Sequence, residues 1–151
     1  MQINVMIQAI AFVSIMVYAA FWDIKRREIP PLAWGMIIFI AFLDFQVTHL
    51  LGILAAVPLV IISVWIAPNR LGGGDIKLVG ATGLLLGLQA TNFAMIIGLT
   101  LQVIIFLVMV CIKKLKKQEF KGIAFPLAPC LAVGFLVVYF MKVGGIFYAF
   151  I

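Results

Sequence analysis

Apolar runs long enough to cross a bilayer follow one another along most of this chain and leave little room for another architecture. Of its 151 residues, 66% are hydrophobic and only 11% are charged. Soluble domains carry about 25% charged residues, so this composition is typical of a membrane protein. Because lipid offers the backbone no hydrogen-bond partners, such runs fold as helices. We therefore expect an all-α, polytopic membrane protein with a single domain over residues 1–151.

The lengths of the apolar runs predict a bundle of about six transmembrane helices. A helix rises about 1.5 Å per residue, so about 20 apolar residues cross a hydrocarbon core of about 30 Å. The run from 78 to 112 would be about 52 Å long as one helix, and the polar stretch 89–92 divides it. The predicted spans are residues 3–22, 31–47, 50–67, 76–89, 92–112 and 123–141. The first run has no basic residues before it and no small-residue cleavage site, so we expect it to be retained.

Basic residues cluster in or beside three of the segments that join these spans and predict the orientation of the chain. The clusters contain Lys25, Arg26 and Arg27, then Arg70 and Lys77 on either side of the glycine loop, then Lys113, Lys114, Lys116, Lys117 and Lys121. Six spans place all three clusters on one side, which the positive-inside rule makes cytoplasmic, with both termini outside. Five spans would put the last cluster on the opposite side. The net charge of +6 is thus a topology signal and does not predict a nucleic-acid partner.

Two aspartates lie at span ends on this predicted cytoplasmic side. Asp23 follows the first span, and Asp75 follows Gly72, Gly73 and Gly74. An ionisable residue beside a span is costly and indicates a functional site, and glycines allow another backbone to approach closely. In a pair of carboxylates that share a proton, one can activate water while the other stabilises the oxyanion of peptide hydrolysis. The pair predicts an aspartic protease at the membrane.

Structural roles for both aspartates stay open at this point. Asp75 could cap a helix that begins at Ile76, and Asp23 could pair with Lys25 or Arg26. A different class of function is a non-enzymatic transporter or assembly subunit that binds cations or protons through the aspartates. That function would place them deep within spans.

Metal-dependent chemistry is not expected. The chain has one histidine, His49, and two cysteines, Cys111 and Cys130, without the spacing of a metal site. His49 and Asp44 lie on the predicted outer side, away from the aspartates. No other cofactor is required by an aspartic mechanism.

Three motifs follow one another along the chain: DIKRREIP at 23–30, GGGDIKL at 72–78 and FPLAPCLAVG at 125–134. Together they resemble the type IV prepilin peptidases, a family of membrane aspartic proteases with a GxGD signature. The glycine motif alone would recur by chance, whereas three motifs in family order make the resemblance specific. Pro31 departs from the pattern because the family often has Asn there. Pro126 and Pro129 are expected to bend the last helix.

The resemblance implies a set of site residues and a substrate. The implied catalytic residues are Asp23 and Asp75, and the implied substrate-binding or structural loop contains Gly72, Gly73, Gly74 and Lys77. The implied substrate is a prepilin or pseudopilin whose positively charged leader is cut at the cytoplasmic face of a bacterial inner membrane. Longer members carry an N-terminal methyltransferase-type domain, for which this chain has no room, so peptidase activity alone is expected. Presenilin-like or signal-peptide-peptidase-like proteases fit less well because their Tyr-Asp element is absent.

Overall fold

The computed structural model describes residues 3–66, 72–116 and 126–149, and these residues form helices without any strand. The main helices are α1 (Ile3–Arg26), α2 (Pro31–Ala41), α4 (Gly73–Leu86), α5 (Leu88–Leu115) and α6 (Ala128–Val143). Between α2 and α4 lies a composite segment: a 3-10 helix (Val47–Ala56), then α3 (Val57–Ile61), then a π-helix (Ile62–Ile66). Short 3-10 helices at Phe42–Asp44 and Ile146–Ala149 follow α2 and α6. The prediction of an all-α protein is confirmed.

Three of these helical segments are long and apolar enough to cross a membrane. They are Ile3–Arg26, Val47–Trp65 and Leu88–Leu115, while the apolar helices Pro31–Asp44 and Ala128–Val143 are shorter. Helix α4 has 14 residues, eight of which are buried in the bundle. The predicted membrane-type architecture is confirmed, and the count of six crossings stays a prediction.

Two helix boundaries differ from the expected ones for local reasons. Helix α1 continues to Arg26, so Asp23 lies in its last turn and not beyond its end. Basic residues at a helix C-terminus are favourable, so the helix extends past the apolar run. The break before α5 falls at Gly87, whose φ of 83° is a left-handed conformation that favours glycine. The polar stretch 89–92 instead lies inside α5.

Close backbone contacts at glycines join α4 to the 3-10 helix before it and α6 to α5. The backbones of Gly83 in α4 and Gly52 in the preceding 3-10 helix touch, and a Cβ on either would overlap the other's carbonyl. Gly134 of α6 packs in the same way against Ala94 and Gly98 of α5. Small residues at such crossings allow helices to pack closely inside a membrane. The contact between Gly52 and Gly83 consequently fixes the position of α4 in the bundle.

The two prolines near the last helix define its start. Pro129 lies in the first turn of α6, and Pro126 lies before the helix. Proline is well tolerated in a first turn, since its missing N–H has no helical acceptor to lose. The expectation that these prolines bend the helix is wrong. The N–H of Ala128, at the start of α6, has no acceptor within the helix and is available to another element.

Candidate active site

The carboxylate of Asp23 is built into the junction of two helices. Asp23 is buried in the last turn of α1, and its Oδ2 accepts a hydrogen bond of 2.9 Å from the backbone N–H of Ala128. The N-terminus of α6 carries a partial positive charge, which favours a carboxylate at this place. Neither Lys25 nor Arg26 forms an ion pair with Asp23 within the described residues. The guanidinium of Arg26 lies instead 4.9 Å from the ring centroid of Trp22.

Asp75 lies in the first turn of α4 and is also buried. The N-cap of α4 is Gly72, and the N–H of Asp75 donates to the Gly72 carbonyl at 3.0 Å. Asp75 is therefore not the cap of a helix beginning at Ile76. Its Oδ1 is buried and accepts no hydrogen bond from the described residues, so this oxygen is free to contact water or a substrate group.

Both aspartates line one cavity of about 320 Å³. Its described lining residues are Asp23, Arg27, Glu28, Ile29, Pro31, Gly72, Gly73, Gly74 and Asp75. Asp75 belongs to none of the three helices that are long enough to cross a membrane. Burial, together with the negative charge of Asp23, raises the pKa of Asp75 to about 7. Near neutral pH, Asp75 can hold a proton beside an ionised Asp23, as two neighbouring carboxylates do not ionise together easily.

The glycines before Asp75 have different surroundings. A Cβ at Gly74 would lie 3.0 Å from the Cβ of Ile29, so the loop after α1 packs directly on this glycine. A Cβ at Gly73, which also lines the cavity, would have no heavy atom of the described residues within 4 Å. Lys77 is not among the described lining residues, and its Nζ lies 5.5 Å from the ring centroid of Trp34.

Arg27 also lines the cavity, although its sequence context predicts only the topology of the chain. Its φ of 57° is the one positive φ outside glycine in the described part of the chain. Its N–H donates to the Asp23 carbonyl at 2.8 Å, and its charge acts on the Asp23 carboxylate. Left-handed residues often end helices and are usually glycines, so a strained arginine here suggests a role for its side chain. Sequence alone gave no signal for this conformation.

A comparison with protein families identifies the family of the chain. The model of the type IV leader peptidase family matches residues 10–112, a range that contains both aspartates. The chain belongs to this family. Among curated proteins and among solved structures, none matches the chain. The resemblance to the prepilin peptidases is thereby confirmed, and the protein is in general terms a leader peptidase of the membrane.

A second polar cavity, of about 350 Å³, lies at the other end of α4 in this leader peptidase. There Lys142 Nζ contacts the Nε2 of His49 at 3.0 Å and donates to the carbonyl of Leu86 at 2.9 Å. Leu86 ends α4, whereas Asp75 lies in its first turn, about 17 Å away along the helix. The described lining of the second cavity contains no carboxylate. Acid–base chemistry by paired carboxylates is therefore possible only in the cavity of Asp23 and Asp75, within the described residues.

Residues of the types that bind metals do not cluster in the described part of the leader peptidase. No group of three or more His, Cys, Asp or Glu side chains there could hold a metal ion. Cys111 is exposed, Cys130 is buried, and both are free thiols.

Proposed function

We propose that this leader peptidase is an aspartic endopeptidase that cleaves the basic leader of prepilins or pseudopilins, with Asp23 and Asp75 as its catalytic pair. One observation carries the proposal: a single cavity brings together two buried carboxylates from α1 and α4. A dyad of this kind can hydrolyse a peptide bond without a covalent intermediate. No methyltransferase activity is included in the proposal.

The surroundings of the two carboxylates support different roles for them. Burial of Asp23 opposes its ionisation, whereas the hydrogen bond from the Ala128 N–H and the charge of Arg27 act in favour of the ionised form. Asp75 has an unpaired Oδ1 and a pKa raised to about 7 by burial and by Asp23, which favours its protonated form. In the proposed reaction, Asp23 removes a proton from water, whose oxygen forms a bond to the scissile carbonyl carbon. Asp75 meanwhile donates its proton toward the carbonyl oxygen.

Collapse of the tetrahedral intermediate completes the proposed cycle. The proton held by Asp23 passes to the leaving nitrogen as the C–N bond breaks, and the gem-diol returns a proton to Asp75 as the new carboxyl group forms. Each aspartate ends in the protonation state in which it began. Gly73 lines the cavity without a side chain of its own, which supports approach of an extended substrate backbone to Asp75.

The location of the site forms part of the proposal. The cavity lies at the end of the bundle where Lys25, Arg26 and Arg27 follow Asp23, and the excess of basic residues supports a cytoplasmic orientation. We therefore assign cleavage to the cytoplasmic face of a bacterial inner membrane, with both termini outside. A leader that ends at a hydrophobic helix would present its cleavage site at this level of the bilayer.

The fold gives less support to a transporter that binds cations or protons. The fully buried residues Leu78 and Val79 lie along α4 between the two polar cavities, and the hydroxyl of Thr82 donates to the Leu78 carbonyl. A conduction path would need polar groups or water along this stretch.

Cleavage by the purified protein in liposomes tests the proposal. The substrate is a synthetic prepilin-type peptide with a basic leader followed by a hydrophobic helix, and mass spectrometry identifies both fragments. The proposal predicts one cut, between the leader and the helix. Cation flux through the liposomes without any cleavage would support the transporter and contradict the proposal.

A further inference from the structure

The cavity of the two aspartates differs in charge from the strongly basic protein around it. The chain has 11 Lys and Arg residues against 5 Asp and Glu residues. Among the described residues that line the cavity, however, the carboxylates of Asp23, Glu28 and Asp75 face a single cation, Arg27. A basic leader that approaches this protein must be attracted to the cavity despite the repulsion of the surrounding surface.

Two tryptophans hold neighbouring cations outside the cavity. Arg26 lies over the ring of Trp22 at 4.9 Å, and Lys77 lies over the ring of Trp34 at 5.5 Å. Both distances are within the range of a cation–π interaction. Arg26 follows Asp23 closely in sequence and Lys77 follows Asp75, yet neither cation is among the described cavity residues. These contacts position both cations away from the described lining of the cavity.

Glu28 is the acid of the cavity that has no partner of its own. Its side chain is exposed, and within the described residues it makes no ion pair or hydrogen bond. Arg27, the one cation of the described lining, acts on Asp23. Asp75 is buried deeper and shares the proton of the pair. Glu28 therefore offers a solvated carboxylate at the mouth of the cavity.

We propose that Glu28 is a specificity-determining residue that binds a Lys or Arg side chain of the leader, and that Trp22 and Trp34 keep Arg26 and Lys77 out of its path. This inference rests on the proposed function. A solvent-exposed ion pair contributes little, so the expected effect is about three- to tenfold in kcat/KM. Because the contact is exposed, added salt should weaken it.

The experiment compares leaders that differ only in charge. Three substrates carry Lys and Arg, Gln, or Glu at the same leader positions, ahead of one hydrophobic helix. The variants are Glu28→Gln and Glu28→Lys, with Asp44→Lys as the matched control, since Asp44 is an exposed acid outside the cavity. The readout is the ratio of kcat/KM for the basic leader to that for the neutral one, at low and high salt.

The inference predicts a ratio above one for the unmodified protein, a fall of about three- to tenfold in Glu28→Lys, and improved cleavage of the acidic leader by that variant. Asp44→Lys should leave the ratio unchanged. Trp22→Leu and Trp34→Leu release their cations and should lower the ratio as well, which a merely structural role for Glu28 does not predict. A ratio that is the same in the unmodified protein and in Glu28→Lys overturns the inference while the proposed function stands. If the unmodified protein cuts none of the leaders, the proposed function itself fails.

Discussion

The carboxylate of Asp23 accepts a hydrogen bond of 2.9 Å from the backbone N–H of Ala128, which lies 105 residues further along the chain. This contact joins the end of α1 to the start of α6 and fixes the orientation of one carboxylate. In the described part of the chain, Asp75 has no comparable donor at its Oδ1. The two aspartates of the cavity are thus unequal before any substrate binds, and the proposed roles of base and acid follow from that inequality.

Alanine substitutions separate the structural glycine from the one that faces the cavity. In Gly74→Ala the new Cβ would lie 3.0 Å from the Cβ of Ile29, so the loop must shift, at a cost of about 1–3 kcal/mol in stability. In Gly73→Ala the Cβ meets no atom of the described residues within 4 Å. We expect Gly73→Ala to keep its thermal stability in detergent and to lose cleavage activity several-fold, because its methyl group narrows the approach to Asp75.

Gly35→Ala is the matched control for this pair, since a Cβ at Gly35 also has no atom within 4 Å and Gly35 does not line the cavity. It should leave cleavage unchanged and should not lower stability, since alanine is favoured over glycine inside a helix such as α2. Full activity in Gly73→Ala would contradict a role for this glycine in substrate approach.

The pKa of Asp75, raised to about 7, predicts how stability depends on pH. The folded protein keeps a proton on Asp75 that the unfolded chain releases at its ordinary pKa of about 4. Stability should therefore fall as the pH rises from about 4 to about 7 and then level off. Asp75→Asn, which cannot ionise, should lack this part of the pH dependence. Thermal unfolding of both proteins between pH 4 and 9 measures the difference, and identical profiles would refute the shifted titration.

Cleavage should show the same titration on its alkaline side. The proposed mechanism needs the proton on Asp75, so kcat/KM should decline as the pH rises through about 7. The unmodified protein is measured in liposomes that remain intact over the whole range. Activity that keeps rising up to pH 9 would contradict a protonated Asp75 in the active form.

Hydrophobicity predicted the fold class because lipid permits few alternatives, but it did not predict where the helices end. An apolar run reports how much chain can lie in hydrocarbon, whereas α1 continues for a further turn and brings Asp23 inside the helix. The break lies at Gly87 because of its left-handed backbone conformation, whereas the polar residues 89–92 predicted it a few residues later. Both aspartates were candidates from sequence because a charge beside a span is unusual.

The partners of the site residues were beyond the reach of sequence. The contact between Asp23 and Ala128 depends on how α1 and α6 pack, and Pro129 was read as a bend although it lies in the first turn of its helix. The left-handed conformation of Arg27, whose N–H donates to the Asp23 carbonyl at the end of α1, is a local backbone feature that its residue type does not signal. The sequence pattern thus identified Asp23 as a candidate, whereas its hydrogen-bond donor became visible only in the folded structure.

Thiol labelling tests the proposed orientation. In a background of Cys111→Ser and Cys130→Ala, one cysteine is introduced at Lys25 or at Thr48, both of which are exposed and lie at opposite ends of the bundle. A membrane-impermeant reagent applied to intact cells should label Thr48→Cys and leave Lys25→Cys unlabelled. Lys25→Cys should react once the membrane is permeabilised. The reverse pattern would contradict the cytoplasmic location of the cavity.

Single-turnover cleavage by the two asparagine variants tests the central claim most directly. Asp23→Asn and Asp75→Asn keep the size of the side chain and an oxygen acceptor but cannot exchange the shared proton. The account predicts that each variant remains folded in the membrane and loses at least about a thousandfold of the cleavage rate, as expected when a paired acid or base is removed. Asp44→Asn, which removes an exposed carboxylate outside the cavity, should cleave at the unmodified rate. Cleavage by either Asp23→Asn or Asp75→Asn at a rate near that of the unmodified protein would contradict the account.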